Sequence, residues 1–253
     1  LNEGATMGSS LGSSLGWRWP FVQAGVVALL LCAAILAVPL PRPRAGPAAG
    51  LPARRPLRAL GRLLAHPRVA SAAVLIVLSV GPDLGFSFWL AEHFRSELGV
   101  SIALSSAVVS VYLGGVIAGR LATAHLVRRL PPGLLLCIGP LASLAGLVAL
   151  LLCHWMPFKL GAIVLYGLGI APVFPLLMAR GTAAFPQSPG AVSGVLFASV
   201  SLGGMIFPQL LGSVAARVGI RRSYALLAVP LVVILAAALV WLRRDPARGG
   251  RLP

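Results

Sequence analysis

The sequence predicts an all-α protein that crosses a lipid bilayer several times. Of its 253 residues, 58% are hydrophobic and only 10% are charged, whereas a soluble domain averages about 45–50% apolar and about 25% charged residues. The apolar residues come in runs close to the roughly 20 residues that a helix needs to cross the hydrocarbon core. A water-soluble globule could not bury this much apolar surface, so we expect an integral membrane protein.

Seven complete spans are predicted from the apolar runs between charged residues. In chain order they are Trp19–Leu40, Val69–Ala91, Ile102–Ala122, Pro132–Cys153, Phe158–Ala179, Ala191–Ala215 and Ser223–Leu242. The segment before them, Leu1–Gly16, carries glycines at four-residue spacing, which line one helix face and allow close helix contact. We expect this segment to be the end of a truncated earlier helix, with further N-terminal helices of the same protein missing from the chain.

The basic residues predict the orientation of the spans. The net charge is +16, but the arginines are not gathered with aromatic residues as a nucleic-acid surface requires, and we expect no nucleic-acid partner. Fifteen Lys and Arg residues fall on one side of the spans and six on the other, where the only lysine, Lys159, is placed in a loop. Because basic loops stay in the cytoplasm, we expect a multi-pass protein of the cell membrane with a cytoplasmic C-terminus.

The predicted spans divide the chain into four parts. Residues 1–40 would close an N-terminal helical half, residues 41–68 would form an Arg- and Pro-rich cytoplasmic linker, residues 69–242 a six-helix half, and residues 243–253 a basic cytoplasmic tail. Within the six-helix half, each third span is plain, while the two before it carry most of the Gly, Pro and polar residues. This period indicates internal repeats, with plain helices facing the lipid bilayer and interrupted helices lining a cavity.

Asp83 is the strongest candidate for chemistry. It lies in the middle of the second span, flanked by glycines and a proline. An ionised carboxylate there costs about 2.5 kcal/mol or more unless it faces water, a partner or a proton. Ser79 and Ser87 share its helix face. We predict that Asp83 binds substrate or exchanges a proton; the alternative is an acid packed against the polar groups of a neighbouring helix.

Three further polar residues, Trp89, Glu92 and His93, follow at the outer end of the same span. Aromatic and charged residues commonly anchor a helix at the membrane interface, and this is the first interpretation. Histidine titrates near neutral pH, so Glu92 or His93 could instead gate the pathway or relay protons.

The fifth span is predicted to be a broken helix, because glycines and prolines interrupt it on both sides of Phe174. Prolines remove backbone donors and kink a helix, which is tolerated where neighbours or a water-filled cavity satisfy the freed carbonyls. We predict that this span runs beside a substrate path that includes Phe174. An ordinary kink is the alternative.

The third and sixth spans are rich in small and polar residues, which either pack closely or contact a ligand. Tyr112 and Gln209 are predicted on the substrate pathway, Gln209 because a buried amide needs hydrogen-bond partners. The residues predicted as conformational hinges or packing points are Gly81, Pro82, Gly85, Gly114, Gly119, Arg120, Gly167, Gly169, Pro172, Pro175, Gly203, Gly204 and Pro208.

The cysteines and histidines indicate neither a metal site nor an enzyme. Cys32, Cys137 and Cys153 are scattered through apolar runs, which gives neither a disulfide framework nor a metal site. His125 and His154 lie at span ends without a paired nucleophile, so a membrane-embedded enzyme is the least favoured alternative. We expect no cofactor.

Several stretches resemble the major facilitator superfamily of transporters. Gly114–Arg129 resembles the glycine-arginine loop on the cytoplasmic side after the eighth helix of that family, and Gly16–Trp19 resembles the approach to its sixth helix. Gly81–Trp89 and Gly169–Pro186 are similar to the branch of fucose and glucose/mannose proton symporters. The sequence differs from that branch at Asp83, where a glutamate is expected.

The resemblance implies that the seven spans are helices six to twelve of a major facilitator fold. Helices seven and ten would line the cavity, helices eight and eleven would flank it, and helices nine and twelve would lie outside. The implied function is secondary active transport of a small polar solute, a sugar as first choice, by alternating access and coupled to protons. A drug or metabolite efflux transporter of the same superfamily is the alternative.

Overall fold

A computed structural model describes residues 19–37, 61, 63–186 and 188–244 of the chain. Within these ranges the secondary structure is helical and no strand occurs. The predicted helix end at Leu1–Gly16, the linker up to residue 60 and the tail beyond residue 244 lie outside the described residues. The chain divides into two units, Leu1–Ala48 and Ala49–Pro253.

The first unit contains helix α1, Trp19–Ala37. Its apolar part, Val22–Leu36, is shorter than the spans of the second unit, and the side chains described within it are exposed. A helix that is apolar all round is typical of a segment surrounded by lipid or by other helices.

The second unit contains six segments that are long and apolar enough to cross a membrane. They are α2 (Pro67–Leu98), α3 (Ile102–Leu126), α4 (Pro132–Leu152), α5 with α6 (Met156–Ile170 and Val173–Thr182), α7 (Pro189–Val218), and α8 with α9 (Ile220–Tyr224 and Ala228–Arg244), the last two joined by a 3-10 turn at Ala225–Leu227. Together with α1 they correspond to the seven predicted spans. The prediction of an all-α, multi-pass membrane protein is confirmed.

Proline and serine explain where most helices begin. A proline lies in the first turn of α2, α4, α5 and α7, where its missing N–H has no intrahelical partner to lose. Helix α3 begins after Ser101, whose side chain accepts the backbone N–H of Leu104 at 3.3 Å. Helix α2 ends at Gly99, whose φ of 62° suits glycine and whose N–H donates to the Arg95 carbonyl.

Helices α2 and α7 cross where a glycine of each faces the other. A Cβ on Gly203 would lie 2.9 Å from the Val77 carbonyl oxygen, and one on Gly81 would lie 2.9 Å from the Gly203 carbonyl oxygen. One turn further along α2, a Cβ on Gly85 would lie 2.7 Å from the Leu211 side chain. Because these positions carry no side chain, the two backbones come into direct contact.

Helix α5 packs between α3 and α4 in the same way. A Cβ on Gly167 would lie 2.9 Å from the Tyr112 carbonyl oxygen of α3, and one on Gly169 would lie 2.5 Å from the Gly139 carbonyl oxygen of α4. These two glycines stand two residues apart and face different neighbours, so α5 contacts a backbone on each side.

Four aromatic rings fill the centre of the second unit. The Phe86 ring stacks on Tyr166 with the centroids 4.0 Å apart and tilts against Tyr112 at 5.1 Å and Tyr224 at 5.3 Å. All four side chains are fully buried, and the Tyr224 hydroxyl donates to the Phe86 carbonyl at 2.7 Å. The cluster joins α2, α3, α5 and α8.

The fifth predicted span is interrupted between α5 and α6 at Ala171 and Pro172. Pro172 has no N–H to donate to the Leu168 carbonyl one turn earlier, which removes a helical hydrogen bond. Pro175 follows in α6 and is exposed. The break separates a longer segment packed between α3 and α4 from a shorter one against α2.

Several helix boundaries differ from the sequence prediction, and two of them change the position of a residue or of a whole span. Helix α5 begins at Met156, so Lys159 lies in its first turn with only 1% of its surface exposed. The loop position predicted for Lys159 is wrong, because Pro157 starts the helix before the lysine. The last predicted span, Ser223–Leu242, begins within α8 and passes through the 3-10 turn before α9.

Candidate functional site

A cavity of about 230 Å³ lies between α2, α3, α7 and the broken α5–α6 segment. Its walls are mostly apolar, with three polar side chains among them. The lining residues are Ser79, Val80, Asp83, Leu84, Val116, Arg120, Ile170, Ala171, Phe174, Phe197 and Val200. Of the residues predicted on the substrate pathway, Ser79, Asp83 and Phe174 thus share one cavity.

Asp83 is the acidic group of this cavity and is partly exposed. The Tyr112 hydroxyl, from α3, donates a hydrogen bond to Asp83 Oδ1. Arg120, about two turns further along α3, also lines the cavity and attracts the carboxylate electrostatically. The carboxylate therefore has a hydrogen-bond donor beside it and a cation on the same cavity wall, which is a suitable arrangement for holding a polar solute or exchanging a proton.

Two phenylalanines also line the cavity. Phe174 of α6 and Phe197 of α7 have ring centroids 6.1 Å apart. Ser79 lies on the α2 wall, but its hydroxyl donates to the Ile76 carbonyl at 3.2 Å and is engaged within its own helix. The polar chemistry of the cavity therefore depends mainly on Asp83 and Arg120.

Trp89 lies away from the cavity, between α2 and α7. Its indole N–H donates to the Pro208 carbonyl at 2.9 Å, and a Cβ on Gly212 would lie 2.7 Å from its ring. Trp89 thus joins the two helices beyond the Gly81 and Gly203 crossing.

The remaining residues predicted on the pathway are dispersed. The Ser87 hydroxyl donates to the carbonyl of Leu84 at 3.1 Å. Glu92 pairs with Arg95 on the surface, with Oε2 and Nε 2.8 Å apart. Gln209 is exposed and does not line the cavity, which differs from the buried amide that the sequence analysis assumed.

The glycines predicted as hinges or packing points mostly lie at tight helix contacts. A Cβ on Gly119 would lie 2.7 Å from the Leu168 carbonyl oxygen, and one on Gly204 would lie 2.9 Å from the Leu84 side chain. Pro82 is buried beside the α7 crossing. Gly114 differs, because it is exposed and no described atom lies within 4 Å of its Cβ position.

Sequence reasoning missed Phe197, Tyr166 and the position of Arg120 on the cavity wall. The third predicted span, Ile102–Ala122, contains Arg120, but its sequence context indicates a packing residue and part of the glycine-arginine motif rather than a cavity residue. Tyr166 is fully buried within electrostatic range of Asp83, and its hydroxyl has no hydrogen-bond partner among the described residues. A tyrosine in the middle of an otherwise apolar fifth span was the available signal.

A second polar group lies near the other end of α2, where His93 meets Lys159 of α5. The Nε2 atom of His93 is 3.3 Å from Lys159 Nζ, and both side chains are buried. The imidazole stacks on Tyr224 with the centroids 4.9 Å apart. No three His, Cys, Asp or Glu side chains of the described ranges are grouped as metal ligands.

Arg221 and Glu97 complete this second group. The guanidinium of Arg221 donates two hydrogen bonds to the Leu151 carbonyl, at 3.1 and 2.6 Å, and lies 3.9 Å from the Glu97 carboxylate. Because Leu151 belongs to the last turn of α4, Arg221 caps that helix end. We refer to His93, Lys159, Glu97 and Arg221 as the far-end cluster.

A family model described as the Major Facilitator Superfamily matches residues 4–208. The chain belongs to the major facilitator superfamily. This family assignment agrees with the resemblance found in the sequence. No curated protein matches the sequence significantly.

Solved transporters of this superfamily share the fold of the chain. A crystal structure of the E. coli fucose:proton symporter is 19% identical with a TM-score of 0.72, and the match covers 91% of this chain and 56% of the symporter. A structure of the peptide transporter POT in complex with sulfate is 16% identical with a TM-score of 0.62, covering 73% of this chain and 39% of that one. The chain thus spans about half the length of these transporters or less.

A bacterial homologue of the human lysosomal transporter Spinster, in an inward-facing and unoccupied conformation, is 17% identical with a TM-score of 0.58. That match covers 96% of this chain and 65% of the homologue. At such identities the likeness establishes the fold and leaves the solute to be argued from the cavity.

Proposed function

We propose that the chain is part of a secondary active transporter that moves a small polar solute, a sugar as first choice, by alternating access and with coupling to protons at Asp83. The observation that carries the proposal is the position of Asp83 at the cavity wall, hydrogen-bonded to Tyr112 and facing the same space as Arg120. Acidic groups within a membrane span commonly serve proton relays and substrate sites.

The polar groups of the cavity support a small polar solute. The part of the cavity formed by this chain has a volume of about 230 Å³. The carboxylate and guanidinium supply acceptors and donors for hydroxyl groups, and Phe174 offers an apolar ring face. The likeness to a fucose:proton symporter supports a sugar and a proton as the first candidates.

Efflux of a drug or metabolite is the second candidate. The observation that favours it is the apolar majority of the cavity walls, which include Val80, Val116, Ile170 and Phe197. Competition experiments distinguish a sugar from an amphipathic compound as the substrate. Only a compound of the true substrate class should inhibit transport at concentrations that leave the protein folded.

Transport should require more helices than this chain contains. Alternating access moves one helical half against another around a site near the middle of the membrane, and the chain spans 56% of the fucose:proton symporter. We propose that the N-terminal helices of the same protein form the opposite wall of the cavity. Substrate-dependent uptake into vesicles that contain only this chain would contradict this requirement.

The decisive experiment replaces Asp83 with Asn in the protein that contains both halves. Asp83→Asn keeps the shape of the side chain and its capacity to accept from Tyr112, but it cannot bind or release a proton. If Asp83 couples protons, vesicles should lose uphill accumulation and its dependence on a pH gradient, while exchange of labelled substrate across the membrane continues.

The outcomes of this experiment separate the possible roles. Loss of exchange together with accumulation indicates direct substrate binding by Asp83. The matched control is Glu92→Gln, which removes an acid from the same helix at an exposed ion pair and should leave accumulation unchanged. A well-expressed Asp83→Asn variant with normal pH-dependent accumulation would remove Asp83 from the mechanism.

We further propose that the protein lies in the cell membrane with its basic tail in the cytoplasm. This orientation places the loop between α4 and α5 outside and the loop after α6 inside. In a background without the native cysteines, His154→Cys should react with an impermeant maleimide on intact cells, whereas Ala183→Cys should react only after permeabilisation. Both positions are exposed, so the reverse pattern would invert the topology.

A further inference from the structure

The pair formed by His93 and Lys159 has an unusual position for two basic groups. His93 is fully buried and Lys159 is 1% exposed, and their side-chain nitrogens are 3.3 Å apart. One acid, Glu97, lies close enough to attract Lys159 electrostatically, but it forms no ion pair with the lysine within 4 Å among the described residues. Whether the two nitrogens attract or repel each other therefore depends on which of them carries a hydrogen.

Two nitrogens at this distance can form a hydrogen bond only if one donates and the other accepts. A lysine ammonium has three donors and no acceptor, and an imidazolium has donors on both nitrogens. If both side chains were protonated, donors would face each other at a buried position, with two positive charges in contact. The geometry thus allows one proton between Lys159 Nζ and His93 Nε2.

The surroundings decide which nitrogen holds that proton. Lysine is the stronger base of the two by several orders of magnitude. The Phe94 ring lies 5.7 Å from Lys159 Nζ, where a ring stabilises a cation, and Glu97 adds a negative charge. Lys159 is therefore the ammonium and donates to His93 Nε2, which leaves the imidazole hydrogen on Nδ1.

We propose that His93 and Lys159 form a proton-binding site, distinct from Asp83, that joins α2 to α5 when it holds one proton between its two nitrogens. A second proton, taken from water by His93 Nε2, occupies the lone pair that accepts from Lys159 and so breaks the hydrogen bond. Because both side chains are enclosed, the ligand that fits between the two nitrogens is a proton. The site is independent of the transport function proposed above.

The groups that face the pair set its response to acid. Arg221 of α8 acts on both nitrogens as a neighbouring cation, and Cys153 from the end of α4 lies near Lys159. Tyr224 stacks on the imidazole, and Glu97 is the single acid acting on the lysine within the described part of the chain. Two nearby cations already accompany one carboxylate, so a further positive charge on His93 is opposed from two sides.

The first test is a direct observation of the imidazole. The chain is purified in detergent with 15N-labelled histidine, and the signal of His93 among the four histidines is assigned by its absence in His93→Gln. At pH 7 we expect a neutral ring with hydrogen on Nδ1 and an accepting Nε2. A ring with hydrogen on Nε2, or a doubly protonated ring, would overturn the proposal.

The second test uses the dependence of stability on pH. Between about pH 7 and pH 5 an unfolded histidine gains a proton that the folded pair cannot accept without breaking, so stability falls as the pH falls. His93→Gln places an amide oxygen near the position of Nε2 and does not titrate. Its melting temperature should therefore fall by about 2–4 °C less over this range than that of the wild type.

The matched control is His154→Gln, at an exposed histidine just before α5. It should lose stability in acid as much as the wild type does. If the melting temperatures of His93→Gln and His154→Gln fell by the same amount between pH 7 and pH 5, the proposal would be contradicted. If His93→Gln proves too unstable to purify, Lys159→Met replaces it in this test and should also lose less stability in acid than the wild type, because no ammonium then opposes a second proton at His93.

Discussion

Asp83 and His93 lie on the same helix, about 15 Å apart along its axis, in opposite surroundings. Asp83 is partly exposed at a cavity and has one hydrogen-bond partner from α3. His93 is fully buried and meets a lysine from α5. Helix α2 thus carries one titratable group that can reach solvent or substrate and one that is enclosed by other helices.

This difference has a physical consequence for mutation. A polar group at a cavity can exchange a lost partner for water, whereas an enclosed group that loses its partner bears the full cost of desolvation. Changes at the cavity should therefore affect function more than stability, and changes at the far-end cluster should affect stability more than function.

The largest effect on stability is expected for His93→Leu. The leucine leaves the Lys159 ammonium buried without its acceptor, which should cost about 3–5 kcal/mol, as for one partner removed from a buried charged pair. Thermal unfolding in detergent measures the loss. The double variant His93→Leu with Lys159→Met should recover most of it, because both polar groups are then absent.

If the His93→Leu variant were as stable as the wild type, Lys159 would be solvated or neutral in the folded protein. Lys159→Met alone should cost less than His93→Leu, about 1–2 kcal/mol, because it leaves a neutral imidazole rather than a charge without a partner. The reverse order would place the positive charge on His93.

An intermediate effect is expected where α5 approaches the cavity. Gly169→Ala would put a Cβ 2.5 Å from backbone atoms at Gly139 and Ser143, and overpacking against backbone should cost about 1–3 kcal/mol. The control on the same helix is Gly161→Ala, whose Cβ would have no described atom within 4 Å and whose higher helix propensity should be neutral or slightly stabilising. Equal stability of the two variants would contradict the close packing of α5 against α4.

The smallest effect on stability is expected for Tyr112→Phe at the cavity. It removes the hydroxyl that donates to Asp83 and should cost only about 0.5–1.5 kcal/mol, because the partly exposed carboxylate can bind water instead. The pH dependence of transport should change nonetheless, since Asp83 loses a donor. A stability loss as large as that of His93→Leu would break the contrast between the two regions.

The sequence predicted the spans well and the contacts between them poorly. Hydropathy identified each span because every membrane helix must be apolar over a similar length. It could not orient the helices, because a helix that is apolar on all sides gives little periodic signal. Gln209 illustrates the limit, since its span was identified while its exposed position was not.

Asp83 was singled out because a carboxylate in a span is rare and costly, whereas Lys159 was assigned to a loop because it stands near a span end. The true position of Lys159 depends on where its helix begins. Pro157 marks the start of α5 ahead of Lys159, and this signal was present in the sequence. The pairing of Lys159 with His93 was not, because it requires knowing which helices are neighbours.

Close backbone contacts among α3, α4 and α5 fall on glycines, including Gly115, Gly119, Gly146 and Gly167. Two side chains that line the cavity, Arg120 of α3 and Ile170 of α5, are not among the nearest atoms at those glycines. Ala171 belongs to both sets, because it lines the cavity and its Cβ would lie 2.7 Å from a Cβ on Gly119. Exchanging Arg120 or Ile170 should therefore change the compound that fits while the helix spacing is kept, whereas a larger side chain at Ala171 should disturb both.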